Sequence, residues 1–319
     1  MHYDVFNGDA DGILALVQLR LADPKVSQLI TGVKRDISLL QQVDVSQATS
    51  VTVLDVSMEK NADALSELLA ANIPVTYIDH HRSGEIPGSE QLTATIDLDP
   101  NTCTALLVNE HLSGRFYLWA IAAAYGDNMT ASAETLADKH QVSVEDRAFL
   151  KELGIYVNYN GYGRSVSDLH VEPAVLFKEL VQYENPLSLK DNEDSVFFML
   201  KKSYKYDMLN ASAAKIHHDS DIAKIIELPD EAWARRVSGV LGNDLANQSP
   251  DKAHGVLTLN SDDTYTVSVR APLNNKQGAD KVVTQFATGG GRAAAAGINK
   301  LELSQLNTFI DVLVSYYAN

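Results

Sequence analysis

The chain has almost no cysteine, no long hydrophobic run and no signal segment at its start. Its single cysteine in 319 residues, Cys103, excludes an intramolecular disulfide framework and a cysteine-rich zinc site. The apolar runs are far shorter than the roughly 18 residues that a membrane span needs. No basic and apolar leader opens the sequence. We therefore expect a cytoplasmic protein that does not bind membranes.

Positive charge is also scarce. The 26 Lys and Arg against 42 Asp and Glu give a formal net charge of −16. Long nucleic acids require a cationic surface, so this balance argues against them as partners and favours a short substrate if the substrate carries phosphate. The length and the 45% hydrophobic content are ordinary for a globular protein with two domains.

The first half of the sequence alternates short apolar strands with amphipathic helices. Strands are predicted near residues 2–7, 28–33, 51–55 and 74–79, and helices near residues 12–21, 37–42 and 60–71. This alternation is typical of a parallel sheet that is covered on both faces, so the fold class is α/β. Five further helices are predicted at residues 102–112, 115–124, 131–140, 144–152 and 173–183.

The second half has a different character. A helical stretch near 192–218 is followed by Leu228-Pro229-Asp230, and then by strands predicted at 233–237, 254–259 and 264–269 with helices at 239–247, 278–287 and 303–317. We predict an N-terminal catalytic domain over residues 1–190, a helical linker over 191–229 and a smaller α+β domain over 230–319.

Acidic side chains follow several of the predicted elements in the first half. The carboxyl ends of parallel strands meet at one edge of a sheet, so these side chains are expected to converge. Carboxylates and an imidazole pair suit Mn²⁺, Mg²⁺ or Zn²⁺. Each acid alone could instead cap a helix or open a turn. The candidate ligands and their neighbours are Asp9, Asp11, Asp55, Asp127 and the run Asp79-His80-His81.

Two other segments are candidates for binding substrate. In Gly289-Gly290-Gly291-Arg292 the glycines would let backbone N–H groups approach a phosphate, and Arg292 with Arg270 could clamp it. The alternative is a turn that only allows close packing. The segment 156–164 has three tyrosines and is predicted to be a loop that stacks bases and grips a terminal phosphate. The alternative is that these tyrosines simply pack. The candidates here are Tyr159, Asn160 and Arg164.

Five motifs in this order resemble the DHH phosphoesterases that carry a DHH-associated C-terminal domain, a group with RecJ, nano-RNases and cyclic-dinucleotide phosphodiesterases. They are residues 6–12 (FNGDADG), 54–57 (LDVS), 79–81 (DHH), 120–127 (ending YGD) and 289–297 (GGGRAAAAG). Two positions depart from the family pattern. Val5 stands where many members have a histidine, and Arg292 replaces the usual histidine of the C-terminal motif.

The resemblance implies a parallel-sheet DHH domain joined by a helical linker to a smaller α+β domain, with the active site in the interdomain cleft. It also implies two divalent ions, Mn²⁺ before Mg²⁺ or Zn²⁺, ~3.5–4 Å apart. In that scheme Asp55 bridges the ions. His80, Asp127 and Asp11 complete the shell of one ion, and Asp9 with Asp11 or water completes the other.

The resemblance further implies roles in catalysis. His81 would act beside the reacting phosphate, Asp79 would orient a histidine, and Arg270 and Arg292 would hold the non-reacting phosphate. The expected activity is a phosphodiesterase that uses metal-activated water to cleave linear dinucleotides or very short oligonucleotides to 5′-mononucleotides, with cyclic dinucleotides as further candidates. The alternatives are a RecJ-like single-strand 5′–3′ exonuclease and a nucleotide-binding regulator without turnover. The sequence leaves open whether the chain forms a homodimer.

Overall fold

The computed structural model describes residues 1–318, which divide after Lys202 into two compact units. The domain limits predicted above stay a prediction. No helix within residues 1–318 is long and apolar enough to cross a membrane.

The first unit has a five-stranded sheet in which every neighbouring pair of strands is parallel. The strand order is β2-β1-β3-β4-β5. The predicted α/β fold is confirmed. The strand β5 was missed, because most of its residues are partly exposed at the sheet edge and its apolar pattern is weak. The strands are β1 (His2–Phe6), β2 (Ser27–Ile30), β3 (Ser50–Leu54), β4 (Val75–Asp79) and β5 (Leu92–Ile96).

Helices account for much of the rest of this unit. They are α1 (Ala10–Ala22), α2 (Ala62–Ala70), α3 (Thr104–His111), α4 (Tyr117–Gly126), α5 (Thr130–Lys139), α6 (Val144–Asn160) and α7 (Pro173–Leu180), followed by α8 (Val196–Ala211), which contains the division. The predicted helix at 37–42 is reduced to a short 3₁₀ turn, Leu40–Gln42. On one face of the sheet, Val5 and Val53 pack in the same core as Leu65 and Leu68 of α2.

Close approach of backbones sets the helix packing that supports the site. A Cβ on Gly154 of α6 would lie 1.9 Å from the carbonyl oxygen of Ala122 in α4, and one on Gly126 would lie 2.6 Å from the Gly154 carbonyl oxygen. Glycine is therefore required on both helices. This packing positions the end of α4, where Asp127 follows Gly126, against the last turns of α6.

The second unit has a mixed sheet with the order β10-β11-β9-β8-β7-β6, in which β7 and β8 pair in parallel and the other neighbouring strands pair antiparallel. Its core includes Val282, Val283, Phe309 and Leu313 from the helices. The elements are β6 (Lys215–Asp219), β7 (Ala223–Leu228), α9 (Ala232–Gln248), β8 (Ala253–Leu259), β9 (Thr264–Arg270), α10 (Ala279–Val283), β10 (Gly289–Gly291), β11 (Ala295–Glu302) and α11 (Leu306–Tyr317).

Two predictions in this region were wrong. Residues 233–237 are the start of α9 and not a strand, because Ala234, Val237 and Leu241 form a buried stripe at helical spacing. The helix predicted near residues 192–218 ends at Ala211, and β6 and β7 belong to the second sheet.

Candidate metal centre

The carboxyl ends of β1, β3 and β4 carry the candidate ligands. In the strand order β2-β1-β3-β4-β5, the strand that follows β1 in sequence lies on one side of it and β3 lies on the other. Open parallel sheets bind ligands at such a point, where the strand order reverses. Asp55, directly after β3, has a φ of 59°, a left-handed conformation that is strained for a residue with a side chain. Strain of this kind is retained where a side chain must be aimed.

Asp55, His80 and His81 form what we call the imidazole cluster, in which one ligand atom from each residue lies within 4.8 Å of the others. His80 Nε2 is 3.4 Å from Asp55 Oδ1, and His81 Nδ1 is 3.6 Å from the same oxygen. Asp11 adjoins the cluster, with its Oδ2 at 3.6 Å from His80 Nε2. The structure therefore brings together four of the predicted site residues.

The hydrogen bonds of His80 decide which ring nitrogen carries the lone pair. Nδ1 donates to the carbonyl oxygen of Thr102 at 2.9 Å, so in the neutral ring the lone pair is on Nε2. That lone pair faces oxygens of both Asp55 and Asp11. Three acceptors facing one another inside the protein are unfavourable without a cation or a proton between them. Burial and the negative charges of Asp11 and Asp9 raise the pKa of Asp55 well above its ordinary value.

Asp11 is held in place by the start of α3. The N–H groups of Thr104 and Ala105 donate to its two carboxylate oxygens at 2.8 Å each. The Thr104 hydroxyl also donates to Asp55 Oδ1 at 3.2 Å. These contacts fix the carboxylates of Asp11 and Asp55 on both sides of the His80 lone pair. The metal-binding atoms are therefore held in place by the protein itself.

His81 is positioned by Asp79. Its Nδ1 donates to Asp79 Oδ1 at 2.8 Å, and the side chain is 35% exposed, against 3% for His80. Burial lowers the pKa of His81, but the Asp79 hydrogen bond and the charge of Asp55 outweigh it and raise the pKa above its ordinary value. Asp79 Oδ2 is buried without a hydrogen-bond partner. His81 is thus the histidine of the pair that a substrate can reach.

Asp9 and Asp127 lie in a second group, the ammonium cluster, which also contains Lys34 and Asn158. The Lys34 ammonium pairs with Asp9 Oδ2 and lies 3.4 Å from Asp127 Oδ1 and 3.3 Å from Asn158 Oδ1. Burial would raise the pKa of Asp9, but the Lys34 charge reverses this and the pKa is lowered. Burial would lower the pKa of Lys34, yet the nearby acids and Tyr162 raise it well above its ordinary value.

The other oxygen of Asp9 caps α1. Oδ1 accepts from the N–H groups of Asp11 and Gly12 at 3.0 and 3.1 Å. The helix-capping role that the sequence left open for Asp9 is therefore correct for one of its two carboxylate oxygens. The sequence analysis did not predict Lys34 and Asn158, because carboxylates and imidazoles are the side chains typical of a metal site. The available signal was a lysine four residues beyond the end of β2, at the same edge of the sheet.

The predicted substrate loop at 156–164 was wrong in its first half. Tyr159 and Asn160 are in the last turn of α6, and both are fully buried. The Tyr159 hydroxyl hydrogen-bonds to His170 Nε2, and Asn160 holds the backbone of Val171 from both sides. Neither side chain is accessible to a substrate. Arg164 is exposed in the following segment, and its role stays a prediction.

In the second unit, Arg270 is largely used by the fold. Its guanidinium donates to Asn243 Oδ1 at 2.6 Å, to Ser268 Oγ at 2.9 Å and to the Gly239 carbonyl oxygen at 3.1 Å. These bonds fix α9 to the sheet, and they leave the guanidinium few N–H groups for a phosphate.

The glycine motif forms a strand and not a turn, and its role in binding phosphate stays a prediction. Gly289, Gly290 and Gly291 form β10, which pairs antiparallel with β11. A Cβ on Gly289 would lie 1.7 Å from the Val283 carbonyl oxygen, as expected for the packing alternative, whereas Gly290 has open space beside it. Arg292, in the exposed turn that follows, keeps its proposed phosphate role as a prediction.

The imidazole cluster fits a divalent cation. A carboxylate that is shared between two imidazoles, a second carboxylate nearby and a histidine lone pair fixed by a backbone carbonyl are the donors that Mn²⁺ or Zn²⁺ uses. The convergence of this lone pair with two carboxylates supports the fit. The ammonium cluster has comparable oxygen atoms, but a cation of the protein itself already contacts them.

Comparisons with known proteins bear on the fold. No family model matches the chain, and no curated protein matches its sequence. It is similar to a solved structure of exonuclease RecJ bound to manganese (14% identity, TM-score 0.59, 100% of this chain and 90% of that one). It is also similar to RecJ with Mn²⁺ from Thermus thermophilus (15%, 0.58), where the match covers 99% of this chain but about half, 52%, of that chain.

A third similar structure is the pGpG-specific phosphodiesterase PggH from Vibrio cholerae, with 12% identity and a TM-score of 0.54 over 100% of this chain and 99% of that one. At these identities the comparisons concern the fold. The chain has the fold of the DHH phosphoesterases.

Proposed function

We propose that the chain is a metal-dependent phosphodiesterase that hydrolyses linear dinucleotides or very short oligonucleotides to 5′-mononucleotides. The observation that carries this proposal is the convergence of the His80 Nε2 lone pair with carboxylate oxygens of both Asp55 and Asp11. The fold adds support, because the similar structures include manganese-bound RecJ and a pGpG-specific phosphodiesterase.

His80, Asp55 and Asp11 would hold the ion, which when bound supplies a Lewis acid that polarises a phosphate ester and acidifies water. The protein supplies the rest. Asp79 keeps His81 Nδ1 protonated, so Nε2 is the atom directed to substrate. The raised pKa of His81 favours a proton on Nε2 as well, which lets it donate to a phosphate oxygen.

The reaction is a simple hydrolysis. The oxygen of water adds to phosphorus, the bond from phosphorus to O3′ breaks, and the proton passes to the departing O3′. A 5′-phosphorylated dinucleotide then gives two 5′-mononucleotides. No oxidant and no substrate other than water is needed.

Two observations support a short substrate. The net charge of −16 disfavours a long polyanion away from the metal centre. The chain is also similar, over 99% of that protein's length, to PggH, a phosphodiesterase specific for the dinucleotide pGpG, although one RecJ structure is covered to 90% as well. We therefore place a dinucleotide such as pGpG first, with cyclic dinucleotides second, and a RecJ-like exonuclease as the alternative.

A length series tests this choice. The purified chain is incubated with Mn²⁺ and 5′-phosphorylated oligonucleotides from two to about ten units, and kcat/KM is measured for each. The proposal expects the highest value for the dinucleotide and a fall with length. Values that rise over several nucleotides would instead indicate a groove that follows a strand. Binding of pGpG in calorimetry without any product would indicate a regulator.

A further inference from the structure

Lys34 is not an ordinary surface lysine. Its ammonium contacts the carboxylates of Asp9 and Asp127 and the amide oxygen of Asn158, and lies 5.6 Å from the centre of the Tyr162 ring. The side chain is 25% exposed, and those of Asp9 and Asp127 are 3% and 8% exposed. Three oxygen atoms and an aromatic face therefore surround one positive charge.

The backbone of Lys34 is also fixed to the site. Its N–H donates to the Gly161 carbonyl oxygen at 2.8 Å, and its own carbonyl oxygen accepts from Asn7 Nδ2 at 3.1 Å. Gly161 in turn lies so close to Asp9 that a Cβ on the glycine would be 3.0 Å from the Asp9 Cα. The segment that carries the lysine is thus tied both to the end of α6 and to the turn after β1.

Both carboxylate oxygens of Asp9 already have partners. Oδ1 accepts from two N–H groups of α1, and Oδ2 pairs with Lys34. A divalent ion at Asp9 would have to displace the ammonium, and the two cations would repel each other at this distance. Val5, in the neighbouring strand, supplies no imidazole. The residues of this cluster therefore do not fit a second resident ion.

We infer that the Lys34 ammonium is the permanent cation of the ammonium cluster and stands in the place of a second metal ion, so that the chain binds one divalent ion, in the imidazole cluster. This inference rests on the proposed function, since it takes the imidazole cluster to be a metal centre. Lys34 then provides a fixed positive charge on one side of the reacting phosphate, and the single ion provides the positive charge on the other side.

Metal counting tests the inference without an activity assay. The full chain is stripped with chelator, loaded with Mn²⁺ and passed through a desalting column, and bound manganese is measured by mass spectrometry and electron paramagnetic resonance. The expected result for the natural chain is one Mn²⁺ per chain with the spectrum of an isolated ion. Two ions per chain with an exchange-coupled spectrum would overturn the inference.

A charge-removing variant sharpens the test. Lys34→Met keeps the length of the side chain and removes the positive charge beside Asp9 and Asp127, so a second Mn²⁺ is expected to bind. Lys151→Met, on an exposed position of α6, is the matched control and should bind one ion. If folded Lys34→Met still binds one ion, the lysine does not occupy an ion's place. Should this variant not fold, the count for the natural chain alone decides.

Failure of the one-ion inference and failure of the proposed function give different results. A natural chain that hydrolyses pGpG with two Mn²⁺ bound contradicts the inference and leaves the proposed function standing. A chain that binds one Mn²⁺ but gives no product with any short nucleotide contradicts the function and leaves the count standing.

Discussion

The imidazole cluster and the ammonium cluster are built at the same edge of the same sheet, yet they balance their charge in opposite ways. In the ammonium cluster Lys34 lies against Asp9 and Asp127, and the pKa of Asp9 is lowered. In the imidazole cluster two histidines lie beside Asp55, and the pKa of this acid is raised. Convergent carboxylates alone do not identify a metal site. The informative property is whether the protein brings its own permanent cation to them.

Removing His80 is expected to give the largest effect, because it takes a ligand from the proposed metal centre. Even residues that only orient metal ligands cost about 10- to 100-fold when removed. We expect His80→Ala to lower kcat/KM for pGpG by more than about 100-fold and to weaken Mn²⁺ binding in calorimetry. His111→Ala, an exposed histidine on α3, is the control and should change neither. Full activity in His80→Ala would remove the imidazole cluster from the mechanism.

The packing of α4 on α6 supports the ammonium cluster, because Asp127 follows α4 and Asn158 lies in α6. Gly154→Ala would place a Cβ 1.9 Å from the Ala122 carbonyl oxygen, and a backbone atom cannot move aside cheaply. We expect a loss of about 3 kcal/mol in the free energy of unfolding, measured by urea titration. Gly88→Ala, with no atom within 4 Å of the new Cβ, should be close to neutral. Equal stability of the two variants would show that α4 and α6 can separate freely.

The same packing explains where sequence reasoning failed. Gly154 and the Tyr-Asn-Gly composition after it are typical of a loop, so the predicted helix stopped at residue 152. In the structure Gly154 is needed for contact with α4, and the helix continues to Asn160 because tertiary packing outweighs local propensity. Tyr159 and Asn160 were consequently assigned to a substrate loop although they are buried.

The strand ends were easier to predict. Apolar runs followed by acids defined the carboxyl edge of the sheet, and this period-two and period-3.6 patterning is local information. Lys34 is different. Its position depends on two hydrogen bonds with residues that are distant in sequence, one donated by the Lys34 N–H to Gly161 and one accepted by the Lys34 carbonyl oxygen from Asn7. The position after β2 indicates that Lys34 lies at this edge of the sheet, but no local pattern shows that its side chain, among those of 26 Lys and Arg, is directed at two carboxylates.

Asp79→Asn should separate orientation from metal binding within the imidazole cluster. The amide keeps the size of the side chain but removes the charge that orients His81. We expect kcat to fall about 10-fold with Mn²⁺ affinity unchanged, since His80 and Asp55 are left in place. Asp63→Asn, on the exposed side of α2, serves as the control. A loss of Mn²⁺ affinity equal to that of His80→Ala would mean that Asp79 is itself needed to hold the ion.

The smallest effect is expected at Asn158, the neutral member of the ammonium cluster. Its Oδ1 accepts from the Lys34 ammonium at 3.3 Å, so Asn158→Ala removes one hydrogen bond but neither carboxylate. We expect a loss of about 1 kcal/mol in the free energy of unfolding. Because Asp9 and Asp127 still hold the ammonium, the Mn²⁺ count should stay at one per chain, in contrast to Lys34→Met. A second ion in Asn158→Ala would show that the amide, and not the pair of charges, keeps the lysine in the cluster.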